Sequence, residues 1–450
     1  MKEKVSQEKL TQKQRKNLKK DSLEYHTHNY PGNGKLEIIS KTPVRNFYDL
    51  SLGYTPGVAE PSREIFKNPD NIWKYTNKGN MVAVVTDGSA VLGLGEITPE
   101  SALPVMEGKC ILFKALGGVD AFPICLNTKD PDKIIEIIKM IEPSFGGINL
   151  EDIGSPRCFY IERELKKVLN IPVIHDDQHG TAVVTLAGLI NALKIVGKKL
   201  EKVKIVISGA GAAGIGCASF YLEAGAKDII LCDRAGAIYE GRKENMNFAK
   251  EYIAKITNKE YFEGTLSEAM KGADVFLGFS APNLVSVDMI RSMADDPIVF
   301  ACANPVPEIM PEKAKEGGAR IIATGRSDYA NQINNVIGFP GIFRGALDVR
   351  ATEINEDMKM AAAHSISDLI TDEELEEDYI ITSPTDPRVM ATEAESVAQA
   401  AIASGVARVK VHKGYVYYRC KKILKFYKKY IDPICDVREE LKHLAKSKII

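Results

Sequence analysis

The chain has 450 residues, 45% of them hydrophobic and 26% charged, with a formal net charge of −1. That length holds two domains with sizeable cores, while the near-zero charge gives no electrostatic reason for a nucleic-acid or anionic-membrane partner. No apolar run reaches the length of a bilayer span, and eight scattered cysteines without a C-x-x-C pair read as buried free thiols of a reducing compartment. The expected location is therefore cytoplasmic, with an organellar matrix left open.

Residues 1–40 read as a polar, basic leader. Met1 to Lys20 lacks the apolar segment of a secretory signal, and the leader ends in the turn-prone Tyr30-Pro31-Gly32-Asn33-Gly34. Residues 41–178 read as an α/β domain that carries the catalytic and metal-binding groups. Its predicted strands are Met81–Thr86, Ala121–Cys125, Ile148–Leu150 and Ile171–Ile174. Thr98 and Pro99 open a predicted helix over Pro99–Leu116, as N-cap and first helical residue. Residues 179–410 read as a Rossmann-type doubly wound domain entered through an apolar helix, Thr181–Val196. Its strands are predicted at Val203–Ser208, Ile229–Cys232, Val275–Phe279, Ile298–Ala301 and Arg320–Ala323, and Met358–Ala407 is expected to be mostly helical. Residues 411–450 form a basic tail. From Lys413 it carries eleven Lys/Arg against four Asp/Glu, and Ile423, Phe426, Tyr427, Tyr430 and Ile434 at helical spacing predict an amphipathic helix packed on the body or on another subunit.

Ser208-Gly209-Ala210-Gly211-Ala212-Ala213-Gly214 contains G-x-G-x-x-G. Alone that pattern is weak. Here a β-branched strand precedes it, a helix follows, and the next strand ends in Asp233, which is the dinucleotide-binding context. Gly209 allows the tight turn. Gly211 lets the backbone approach a pyrophosphate at the helix N-terminus, and Gly214 lets helix and strand pack closely. Asp233 suits a ribose diol and so NAD, whereas Arg234 suits a 2′-phosphate and so NADP. The cofactor site is expected to take in Gly209, Gly211, Ala212, Ala213, Gly214, Asp233, Arg234, Ser280 and Asn304.

Two acidic pairs stand upstream. Glu151-Asp152 and Asp176-Asp177 each follow a predicted strand and precede a helix. In a parallel sheet their strands end on one edge, where open α/β sheets bind ligands. Carboxylates crowded there repel, and a hard divalent cation such as Mg²⁺ or Mn²⁺ relieves the repulsion. The plainer alternative is acids favouring helix N-termini. For Lys109, in mid-helix, a surface position is the ordinary reading, and for Tyr54 in its tight loop it is packing. His175 and His179 read as structural, since hard cations prefer oxygen.

Tyr54-Thr55-Pro56-Gly57-Val58-Ala59, Val91-Leu92-Gly93-Leu94-Gly95, Glu107-Gly108-Lys109, Asn149–Ile153, His175–Ala182, Gly209–Gly214, Asn304-Pro305 and Asn334-Asn335-Val336 occur in this order. Over residues 42–405 the set resembles the short, bacterial-type malic enzymes. The resemblance implies L-malate and NAD(P)⁺ going to pyruvate, CO₂ and NAD(P)H, in a homodimer. It puts Glu151, Asp152 and Asp177 at metal-ligand positions, Lys109 at the general base, Asp176 at its paired acid and Tyr54 at the general acid. Asn304 and Asn335 match substrate contacts. One departure is clear: the longer malic enzymes carry a substrate-binding arginine just before L-G-L-G, and here Ser89-Ala90-Val91 stands in its place. A malolactic conversion of malate to lactate is the alternative reaction, and a nicotinamide-binding protein without turnover is the alternative of another class.

Overall fold

Short β-branched runs alternate with longer apolar helices, and the chain lays the runs into two sheets in the computed structural model, which describes residues 12–27, 33–91 and 93–430 together with Pro433 and Asp436. The first sheet holds β1 (Met81–Thr86), β2 (Asp120–Cys125), β3 (Gly147–Leu150) and β4 (Val173–His175), in the order β2-β1-β3-β4. Every pairing in it is parallel. All four carboxyl ends therefore share one edge. The register sets Val85 beside Leu150 and Leu150 beside His175, so Glu151 and Asp176 leave the sheet at one level.

The second sheet holds β5 (Lys204–Ser208), β6 (Asp228–Asp233), β7 (Gly236–Ala237), β8 (Val275–Gly278), β9 (Ile298–Ala301) and β10 (Ile321–Thr324), in the order β10-β9-β8-β5-β6-β7. Only the two-residue β7 runs antiparallel. From β5 the chain builds outward to β6, then returns to place β8 on the other side. The strand order reverses there, which opens the crevice that such folds use for ligands.

The helix Asp176–Val196 runs from the end of the first sheet into the second unit. It starts five residues earlier than expected, so Asp176 and Asp177 lie in its first turn, where the macrodipole favours carboxylates. One expectation is corrected here: this helix is long and apolar enough, by length and composition, to cross a membrane. It is instead a core helix, with 67% of its apolar window buried. Its small residues let it pack closely against the helices Ala212–Glu223 and Glu356–Ser367. A single apolar core accordingly joins Val82 and Val84 of β1 to Ile205 and Ile207 of β5.

Thr98 caps the helix Pro99–Gly117 by accepting from the Ser101 amide, and Gly118 closes it in the left-handed conformation. The stretch Met358–Ala407 is less helical than expected, with residues 368–388 irregular between Glu356–Ser367 and Val389–Ala403. The leader contains a helix, Gln12–Thr27, tied back by the Gly34 amide to the His26 carbonyl. Tyr30, Pro31 and Gly32 of its expected turn lie outside the described residues. So do Leu92, Ile434 and Cys435. The tail helix Tyr415–Tyr430 packs on the body through buried Val416 and Cys420 and leaves Tyr418 and Phe426 exposed. The seven cysteines among the described residues are all free, five of them buried.

Candidate active site

The carboxyl edge of the first sheet gathers the acids. Glu151 and Asp152 follow β3 and are buried, and Asp177 stands half-buried one strand away. An oxygen of each lies within 4.8 Å of the others. The turn that arranges them needs Asp152 in the left-handed region at φ 52°. Two bonds hold it there: the Asp152 amide donates to Asp177 Oδ2 at 2.9 Å, and the Asp152 carbonyl accepts from the Ala90 amide at 3.0 Å. Burial first, and then the neighbouring Asp176 carboxylate, push Asp177 up to about 6. Burial also raises Glu151. A donor set of oxygens alone, too crowded to stay fully ionised, fits a hard divalent cation.

Lys109 is not on the surface. It is buried, with Nζ 2.5 Å from Asp176 Oδ2, 2.8 Å from Glu151 Oε1 and 4.1 Å from the Phe339 ring centroid. Burial works against its charge, but Asp176 and Glu151 outweigh burial and hold the ammonium protonated. Asp176 Oδ2 also accepts from Asn335 Nδ2 at 2.5 Å, while its Oδ1 is buried without a partner. Burial, against the pull of Lys109, moves Asp176 up to about 6. Gly180, one turn on, is needed here, because a Cβ at that position would collide with Asp176 Oδ1.

The glycine loop follows β5. Gly209 adopts φ +108°, and a Cβ on it would strike the Phe279 carbonyl. Gly211 caps the helix Ala212–Glu223 with open space above it. The first amides of that helix, including those of Ala212 and Ala213, are the unpaired donors that favour anions. Gly214 packs where a Cβ would meet the Gly209 carbonyl. Ser280 shares a hydrogen bond with Ser208, Oγ to Oγ at 2.9 Å, and its amide donates to buried Glu308 at 2.7 Å.

Asp233 ends β6 as expected but is already engaged. It accepts from Arg242 Nη1 at 2.9 Å and Nη2 at 2.6 Å, Lys250 Nζ at 2.7 Å, Asn245 Nδ2 at 2.9 Å and the Ala235 amide at 2.9 Å. Burial acts to raise it, and the donors from Arg242 and Lys250 overcome burial and hold it at about 2. Arg234 is exposed. Both line a cavity of about 940 Å³ together with Gly209, Lys243 and Ser280. A second cavity, of about 320 Å³, is lined by Asp177, Thr181, Ala213, Ser280, Asn304 and Asn335, and so connects the acids to the glycine loop.

Most of the expected residues thus converge, and Tyr54 does not. It is 68% exposed and touches neither Lys109 nor the acids. Next to Ser89-Ala90, Asp87 Oδ2 accepts from Arg157 Nη2 at 2.9 Å. His175 and His179 are held neutral, burial lowering each to about 4. His179 bonds Glu162 and Lys359 at the far side of the helix turn. Arg242, Lys250 and Glu308 escaped the sequence reading. Each acts through an ion pair or hydrogen bond at least five residues away in sequence, and no motif marks such a partner.

A carboxylate cluster facing a dinucleotide loop across a domain crevice defines a nicotinamide-dependent oxidoreductase. Residues 33–166 match the model of the malic enzyme N-terminal domain, and residues 178–407 that of the malic enzyme NAD-binding domain. The bifunctional malic/malolactic enzyme of Bacillus subtilis (strain 168) is 56% identical over 406 residues, 90% of this chain and 98% of that one. The NAD-dependent malic enzyme of Geobacillus stearothermophilus is 57% identical over 375 residues, 83% of this chain and 78% of that one. The crystal structure of malic enzyme from Pyrococcus horikoshii Ot3 superposes with a TM-score of 0.91 at 50% identity, covering 94% of this chain and all of that one. The chain belongs to the malic enzyme family.

Proposed function

We propose that this chain oxidatively decarboxylates L-malate to pyruvate and CO₂ while reducing NAD(P)⁺. The observation that carries the reading is the meeting, at one crevice, of the Glu151-Asp152-Asp177 oxygens, the buried Lys109–Asp176 pair and the glycine loop. Glu151, Asp152 and Asp177 are the groups that would hold Mg²⁺ or Mn²⁺. The chemistry such a cation supplies is Lewis acidity at the malate C2 oxygen, with a positive charge that offsets the carboxylates holding Lys109 protonated. The nicotinamide's contribution is to accept the C2 hydride.

The chain's own residues do the rest. Lys109, once deprotonated, takes the C2 hydroxyl proton, and Asp176 with Asn335 fixes its position. The C4 carboxylate leaves as CO₂, and its bonding electron pair passes to C3. Tyr54 then gives a proton to C3, which completes pyruvate. Asn304 and Asn335 line the cavity on the side where substrate meets cofactor.

NADP is the better fit of the two cofactors. Five donors already fill Asp233, so it has little capacity left for a ribose diol, and Arg234 and Lys243 stand beside it to meet a 2′-phosphate. The test is NAD(P)H production from L-malate with Mg²⁺ or Mn²⁺ and with each nicotinamide. Absence of turnover under every combination sinks the proposal. The bifunctional Bacillus subtilis relative supports malolactic conversion as a second reading. Lactate in place of pyruvate, with no net reduced nicotinamide, would select it.

A further inference from the structure

We infer that the cavity walled by the tail helix Tyr415–Tyr430 is a binding site for a small aromatic phosphate, a molecule that joins a flat ring to a doubly charged phosphoryl group. The site stands apart from the carboxylates and the glycine loop, and it does not depend on the reaction proposed above.

The tail helix lies against the amino-terminal edge of the first sheet. Glu395 fixes its start by accepting from the Gly414 amide at 2.6 Å and the Tyr417 amide at 3.0 Å. Gly118, just before β2, admits its middle turn, because a Cβ there would strike Ile423. Between the helix and the sheet edge remains a cavity of about 690 Å³, within the ~300–1,000 Å³ of small-molecule sites. It shares no lining residue with the cavities at the glycine loop or the carboxylates. The match to the NAD-binding domain ends at residue 407, so the helical wall of this cavity lies beyond it.

The charge of the cavity asks for an anion. Among the described residues, Lys41, Arg350, Arg419 and Lys422 line it against a single acid, Asp348. That acid is already shared. Its buried side chain pairs with both Arg344, itself fully buried, and Arg419. Two guanidiniums on one carboxylate leave a positive charge unmatched at the floor. Burial first, and then the charge of Arg344, lowers Arg419 to about 10. Lys41 reaches Asp120 Oδ2 at 3.3 Å, but Asp120 also pairs with Lys114. Among the described residues neither Arg350 nor Lys422 pairs with a carboxylate, and Arg350 Cζ lies 5.7 Å from the Trp73 ring centroid. A phosphoryl dianion matches more of this surplus than a single charge does, and guanidinium forks fit its oxygens in pairs.

The walls select the rest of the ligand. Trp73, Tyr415, Phe426 and Tyr427 line the same cavity, and Tyr415 and Phe426 are 40% and 55% exposed. Aromatic faces set among cations hold a flat ring by stacking while the cations hold its phosphate. Inorganic phosphate would leave the rings uncovered, and a neutral aromatic molecule would leave the charge unmatched. A net charge of −1 gives the whole chain no field that would favour a long polyanion over a small one.

Trp73 is the one tryptophan of the chain, so its emission reports on this cavity. The probe is 4-nitrophenyl phosphate, whose nitro ring quenches indole emission. It is expected to quench Trp73 saturably, at one ligand per chain. Lys422→Ala and Arg350→Asn should each raise the half-saturating concentration by about tenfold, the worth of one charged hydrogen bond. Asparagine is the choice at Arg350 because that residue stands at φ 49°, a conformation asparagine tolerates. Arg234→Ser, at the glycine loop, should leave the curve unchanged. Quenching that does not saturate overturns the inference, and so does a curve that Arg234→Ser moves while Lys422→Ala and Arg350→Asn do not. The wild-type chain gives a reading free of any folding defect in the variants. Its half-saturating concentration should rise several-fold between about 10 mM and about 150 mM salt, and a curve indifferent to salt overturns the anion site. Equal quenching by 4-nitrobenzyl alcohol would rule out a phosphate ligand. Displacement of the probe by pyrophosphate at equal concentration would rule out the ring.

Discussion

Two acidic sites stand at strand carboxyl ends in this molecule, and their electrostatics are opposite. At the first sheet, Glu151, Asp152, Asp176 and Asp177 share one buried cation, Lys109, and the shifts resolved for Glu151, Asp176 and Asp177 are all upward. At the second, a single Asp233 faces Arg242 and Lys250 and is held down to about 2. The comparison separates a cluster that carries unspent negative charge, and so has capacity for a cation, from one already neutralised by its own neighbours. The residue type and the place in the topology are the same; the count of nearby cations decides.

The largest expected effect breaks the first cluster at its cation. Lys109→Ala should lower kcat/KM by roughly 10²–10⁴, the range for a positioned general base, with the protein still folded by circular dichroism. Wild-type turnover in that variant removes Lys109 from the chemistry.

Next is the cluster's surplus charge. Asp177→Asn should weaken Mn²⁺ binding, read by calorimetry or electron paramagnetic resonance, by more than the 10–100-fold that loss of an outer partner costs. In metal-free protein the same change should raise Tm, because it removes one of several mutually repelling carboxylates from the crowded edge. Unchanged Mn²⁺ affinity together with a lowered Tm would turn the cluster into a purely structural one.

The second cluster offers smaller effects. Arg234→Ser should cut the ratio of kcat/KM for NADP to that for NAD by about tenfold, the worth of one charged hydrogen bond. An unchanged ratio assigns the 2′-phosphate to another group.

The smallest effect is a pH dependence. Asp233 has a folded value depressed to about 2 against about 3.9 in an unfolded chain. Its stabilisation is therefore present above about pH 4 and is lost as pH falls toward 2. The Tm deficit of Asp233→Asn should be full at pH 7 and shrink steadily below pH 4. A deficit independent of pH would show that the carboxylate's charge contributes nothing.

How far the sequence determined this protein depends on the range of the interactions involved. Strand placement, the Thr98-Pro99 helix start and the glycine loop rest on local rules. Residues near in sequence settle periodicity, capping and backbone freedom, so these were legible to within a residue or two. The alignment of Glu151-Asp152 with Asp176-Asp177 on one edge was also legible, because a parallel crossover leaves no other arrangement.

Tertiary structure alone decided the rest. Lys109 passes as a surface residue in the periodicity of its own helix, and only its packing beneath Asp176 and Glu151, 67 and 42 positions on, buries it. Asn335 reaches Asp176 across 159 positions. The helix Asp176–Val196 has a composition fit for lipid, and the helices around it make it core. Asp233 reads as free to bind a ribose until Arg242 and Lys250 fold onto it. Each of these turns on which charges end up near one another after folding. Pair energies fall with distance in space and scale with local dielectric, and a sequence specifies neither until the chain has closed.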